Sequence, residues 1–175
     1  MLRNFRNGRR RRGTAAALCA AVSRRARDPA FYQAYGVADS VDGRFDLVVL
    51  HAWLVLEQLR ERGENDLAQT FVDAIFAAFD EALREQGAGD IGIGRRMKKM
   101  AGAFYGRLQT YSGSGDLAAL GDAILRNVYR GEACRVEQAA ALAKYVHDAR
   151  KGVADSRLAE GEVDFGPPPA VDLTP

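Results

Sequence analysis

The chain has 175 residues, 47% of them apolar and 27% charged, which suits one globular domain with a sizeable core and excludes a low-complexity or fibrous chain. Its net charge of +2 conceals a division: residues 1–27 hold nine of the 25 basic residues, all arginine, and no acid, so the remainder carries 16 basic against 23 acidic residues. Two distant cysteines, Cys19 and Cys134, give no disulfide framework or zinc spacing and predict single buried thiols, and the longest apolar run, Leu47 to Leu56, is too short for a bilayer span of about 20 residues.

Residues 1–13, with Arg9, Arg10, Arg11 and Arg12 in succession, predict a flexible basic arm. Thr14 to Arg27 reads as an Ala-rich helix. Its apolar part is too weak for a secretory leader, although an Arg-rich, acid-free start also resembles an organellar transit segment. Asp28-Pro29 is a cap followed by a first-turn proline, opening a short helix that Gly36 ends. Asp42 is expected to cap, and Gly43 to relax, the entry to a strongly apolar helix from Phe45 to Arg62. Its broad face of Phe45, Val48, Val49, Ala52, Trp53, Leu56 and Leu59 belongs at the centre of a core. Asn65 opens the next helix, with a stripe of Leu67, Phe71, Ile75, Phe79 and Leu83, and Gly87 ends it.

Gly89 to Tyr111 predicts a helix capped by Asp90. Ile93, Met97, Met100, Phe104, Leu108 and Tyr111 recur at helical spacing and share one face. Arg95 and Lys99 fall opposite, with Gly102 and Gly106 in line with them and Arg96, Lys98 and Arg107 on the flanks. Glycine costs roughly 1 kcal/mol against alanine inside a helix. Two on a basic outer face point to a partner backbone coming close; a solvated basic face is the plainer alternative.

Ser112-Gly113-Ser114-Gly115 is a flexible break. Asp116 to Arg130 follows as a helix with Leu117, Leu120, Ile124, Leu125 and Val128 inward, and Gly131 as its stop. Arg135 to Lys151 is the last, with Val136, Leu142, Tyr145 and Val146 inward. From Gly152 the chain holds three consecutive prolines and five acids against one arginine, which predicts a flexible tail over 152–175. The class is all-α: one helical domain over 14–151, of six or seven helices, with a core built on Trp53, Leu56, Phe71, Ile75, Phe79, Met97, Met100 and Phe104.

Catalytic chemistry is not visible. The histidines are His51 and His147, and His51 sits in the most apolar helix, where a core role is expected. No nucleophile elbow, phosphate loop, metal spacing or carboxylate pair stands out, so neither metal nor cofactor is expected. Gly89, Gly92 and Gly94 do not follow a strand and read as a helix entry.

Val41 to His51, together with Gly-Arg-Arg-Met-Lys-Lys-Met and Ala-Phe-Tyr-Gly-Arg inside 94–107, resembles the ubiquinol–cytochrome c chaperone family. Asp28 to Tyr32, Asn127 to Gly131 and Leu158 to Gly161 resemble its outer blocks, so the likeness runs from about Ser23 to Pro168. It implies a non-enzymatic chaperone for assembly of the ubiquinol–cytochrome c reductase complex, acting on newly made cytochrome b with a small partner protein and near the ribosome. It also implies a place at the cytoplasmic face of a bacterial inner membrane, or at the matrix side in a mitochondrion. Arg95, Arg96, Lys98, Lys99, Gly102, Gly106 and Arg107 are then the expected partner-binding set. Arg9 to Arg12 would contact an anionic membrane or the ribosome, with no specific DNA partner. Three other readings stay open: a ribosome or RNA binder using Arg9 to Arg12 and the Arg95 to Lys99 face, a small enzyme or haem carrier with a helical pocket using His51, and a generic helical interaction protein.

Overall fold

The helix that organises the molecule is the one that carries the longest apolar run of the sequence. In a computed structural model, which describes residues 2–85 and 90–169, Val41–Glu61 forms a helix whose stretch from Leu47 to Leu56 carries no charge and is buried on nearly all sides. In chain order the α-helices are α1 (Leu2–Ala26), α2 (Pro29–Gln33), α3 (Val41–Glu61), α4 (Asn65–Glu85), α5 (Asp90–Ser112), α6 (Leu117–Asn127) and α7 (Val136–Asp155). Short 3₁₀ turns sit at Ala133–Arg135 and Leu158–Glu160, and no strand occurs among the described residues. α3 packs against α1, α4, α5 and α7; α4 also lies against α1 and α5, and α6 against α7. The expectation of one all-α domain is met.

Local chemistry explains most boundaries. Asp28 accepts the Ala30 N–H at 3.0 Å with Pro29 in the first turn, and Asp116 accepts the Ala119 N–H at 2.7 Å. The α3 cap differs from expectation. Ser40, not Asp42, accepts the Gly43 N–H, at 3.1 Å, because the helix starts at Val41. Gly43 does more than relax the entry: a Cβ there would lie 2.0 Å from the Ala38 carbonyl oxygen, so the first turn of α3 sits directly against the loop that leads into it. Gly87 and Gly89, expected to stop α4 and start α5, lie outside the described residues, as does the side chain of Asp90.

His51 is a core histidine, as expected. Its Nδ1–H donates to the Leu47 carbonyl at 2.7 Å, and Nε2 accepts the Tyr145 hydroxyl at 3.0 Å. A carbonyl can only accept, which assigns the proton to Nδ1. Full burial lowers the His51 pKa to about 4.

Several outward and inward assignments change. Leu117 and Val136, expected inside, are exposed at the starts of α6 and α7. Phe79 is half-buried, packed between Phe45 and Phe76. Cys19 is buried, but Cys134 is exposed in the 3₁₀ turn before α7. The expected boundaries at Gly13 and Gly152 also move. α1 runs unbroken through Arg9 to Arg12, and Arg11 pairs with Asp66 of α4. α7 continues to Asp155, and the segment after it turns back over the bundle. There Leu158 is fully buried, and Phe165 meets the His51 ring at 5.1 Å. Gly152 permits this return, since a Cβ there would lie 2.7 Å from the Asp164 carbonyl oxygen. Periodicity could not show it, because the strap is not a regular element and its apolar residues are isolated. Residues 170–175 lie outside the described residues.

Candidate functional site

α5 is anchored by Ile93, Phe104, Leu108 and Tyr111, all buried, as its helical spacing predicts. Met97 and Met100 are not core residues: both are half-exposed, and Met100 faces an open groove beside the start of α3 and the end of α4, which leave its side chain partly uncovered. On the opposite face Arg95, Arg96, Lys98 and Lys99 are exposed, and none makes an ion pair among the described residues. A Cβ built at Gly102 or Gly106 would meet nothing within 4 Å, so within the monomer no backbone comes close there. The surface is therefore basic and open along about three turns.

Arg107 departs from this set. Its side chain is 15% exposed and turns inward, where Nη2 lies 2.7 Å from Oδ1 of Asp46, a carboxylate with no exposed surface. Arg130 approaches the other oxygen, Oδ2, at 2.8 Å. A carboxylate buried on the central helix requires such partners, since an unpaired buried charge is far costlier than a paired one. Burial pushes the Asp46 carboxyl upward, and the two guanidinium groups oppose that. The guanidinium of Arg107 also lies 5.2 Å from the centre of the Phe45 ring. Arg130 takes a left-handed backbone with φ 56° and donates through Nη1 to the Asn127 carbonyl, which fixes its side chain over Asp46.

Sequence reasoning missed Asp46 and Arg130. One signal was available: an acid directly between Phe45 and Leu47, at the head of the longest apolar run, has to find a cation. Which cation was a matter of tertiary proximity.

Beside this cluster lies an open groove of about 580 Å³. Phe45, Leu83, Met100 and Ala103 line its apolar part, with Val41 at the mouth and Arg96, Lys99, Arg107 and Arg130 around it. The structure thus divides the predicted residues. Arg96 and Lys99 stand on the groove wall, Arg107 lies at its floor, and Arg95, Lys98, Gly102 and Gly106 remain on the outer surface of α5. In α1, Arg9, Arg10 and Arg12 are exposed. No group of three potential metal ligands occurs among the described residues. What the arrangement offers is recognition: a basic surface with an adjoining apolar groove.

The model of the ubiquinol-cytochrome C chaperone family matches residues 33–161. The chain belongs to this family. Over the whole of both chains it is also similar, at 30% identity and a TM-score of 0.80, to the crystal structure of the Cbp3 homolog from Brucella abortus. No curated protein sequence matches it significantly. A member of the ubiquinol–cytochrome c chaperone family is a non-enzymatic assembly factor for complex III, and a site built for binding suits that role. Asp46, Arg107, Arg130 and the whole of α5 lie inside the matched residues, whereas Arg9 to Arg12 lie before them. No helix of the described residues is long and apolar enough to cross a membrane.

Proposed function

We propose that this chaperone holds newly made cytochrome b during assembly, with the outer face of α5 as its contact surface. The observation that carries the assignment is the conjunction on one helix of four exposed cations without ion-pair partners among the described residues and two glycines with open space above them. Arg95 and Lys99 are one turn apart and bracket an acidic group or a helix C-terminus on the client. Gly102 and Gly106 let its backbone approach. Exposed Arg9, Arg10 and Arg12 add attraction to an anionic surface, worth roughly 1 kcal/mol per cation beside such a membrane. This suits work at the inner face of the membrane; nearness to the ribosome that makes the client, and a small co-chaperone, are what the family resemblance implies.

The test is capture of cytochrome b by tagged protein from membranes that are synthesising it. Gly106→Leu and the double change Arg95→Glu with Lys99→Glu should both leave the fold intact and lose the client. Undiminished capture by both variants, with normal melting, would leave the outer face as mere solvated surface.

A further inference from the structure

We infer that the groove between the start of α3, the end of α4 and α5 is a docking site for an acidic amphipathic helix of a partner polypeptide. The inference rests on the reading that this chain holds a polypeptide client, and it adds the chemistry of the segment held.

The groove has two parts that call for different groups. Its apolar part is formed by Phe45, Leu83 and Met100, and Val41, 56% exposed, extends it to the mouth. Met100 has the spacing of a core residue yet stays half-exposed, so apolar surface is left uncovered on the folded chain. Its charged part is one-sided. Arg96 and Lys99 are exposed on the α5 wall without ion-pair partners among the described residues. Arg130, with its side chain 46% exposed, faces them. The single buried carboxylate of Asp46 is shared by Arg107 and Arg130, which leaves that cluster with a net positive charge. Asp42 is the one carboxylate among the lining residues. An occupant must therefore bring apolar side chains and carboxylates together.

Secondary structure narrows the occupant further. The walls are α3, α4 and α5, with Arg130 in the turn after α6, so among the described residues no sheet edge is available to pair with an extended strand. A polypeptide entering the groove has to satisfy its own backbone, which means a helix. From Arg96 to Arg107 α5 rises about 17 Å at 1.5 Å per residue, room for about three turns of a partner. Anchors at i, i+3 or i+4 and i+7 would reach Phe45, Leu83 and Met100, with acids alternating towards Lys99 and Arg130. A flat anionic bilayer would meet Arg96 and Lys99 but could not enter between the helices to reach Met100 and Phe45.

A fluorescent 18-residue helical peptide with leucine on one face and glutamate on the other, titrated against the full chain, tests this by anisotropy. Its twin with lysine for glutamate serves as the charge control. The acidic peptide should bind at least about tenfold more tightly than the twin. Arg96→Glu with Lys99→Glu, and separately Met100→Gln, should each weaken it by about tenfold or more, equivalent to about 1.4 kcal/mol, with circular dichroism unchanged. Binding insensitive to Met100→Gln but abolished by salt would show charge attraction alone and overturn the groove assignment. So would failure to bind the peptide while vesicles of anionic phospholipid bind through Arg96 and Lys99. Because the peptide assay needs no cytochrome b, its outcome stands apart from the capture experiment: failed capture with intact peptide binding would count against the client, and the reverse against the groove.

Discussion

Arg107 of α5 and Asp46 of α3 are joined by a 2.7 Å ion pair in which the carboxylate has no exposed surface. This contact fastens the helix that carries the basic face to the helix at the centre of the core. It also explains why one of the predicted partner-binding arginines is not available on the outside.

Asp46→Ala should therefore destabilise the protein by about 3–5 kcal/mol, because it leaves a largely buried guanidinium unpaired. Combining Asp46→Leu with Arg107→Met should recover most of that loss, since apolar groups of similar volume often replace a buried pair at little cost. Arg130, with a more exposed side chain, can turn to solvent in the double variant. Urea unfolding of the three proteins decides it. A loss below about 0.5 kcal/mol for Asp46→Ala, the range of ordinary surface changes, would show that the pair does not fasten the helices.

His51 predicts a pH dependence. Its pKa is about 4 in the folded chain against 6.5 for the free side chain, so between these values the unfolded chain binds more protons. The stability this gives is fully present above pH 6.5 and is lost as the pH falls towards 4. From pH 7.5 to pH 5 the loss should be about 2 kcal/mol at about 1.4 kcal/mol per pKa unit. His51→Phe should lack this component when unfolding is measured at both pH values, and an unchanged difference between them would assign the dependence elsewhere.

Two glycines should respond oppositely to alanine. At Gly43 the new Cβ would collide with the Ala38 carbonyl, a backbone atom that cannot swing aside, and the cost should be at least about 1–3 kcal/mol. At Gly106 the Cβ would meet nothing within 4 Å, so the better helix former should raise stability by up to about 1 kcal/mol. Thermal melting of both variants checks the pair. A destabilised Gly106→Ala would mean that this face packs against protein.

Phe165 lies far beyond the last long helix, yet it is buried against His51, and Arg25 donates to the Gly166 carbonyl at 2.5 Å. Phe165→Ala should cost about 3–5 kcal/mol, the range for a core phenylalanine. Chemical denaturation would show a near-neutral effect if the segment were only resting on the surface.

The sequence by itself determined the all-α class, most helices and the buried faces of α3, α4 and α5, because a period of 3.6 and local caps are properties of a single segment. It also displayed the residues by which the family is recognised, and the exposed basic row from Arg95 to Lys99. Only the tertiary structure decided that Met97 and Met100 stay half-exposed, since that depends on how much of α5 the neighbouring helices cover. It alone turned Arg107 inward, because the carboxylate that attracts it lies 61 positions earlier, and it alone closed the segment from Ser156 to Phe165 over the core. The groove belongs to the same class. Its apolar and basic residues come from three helices and the turn after α6, and no single stretch of sequence carries enough of them to be read as a site.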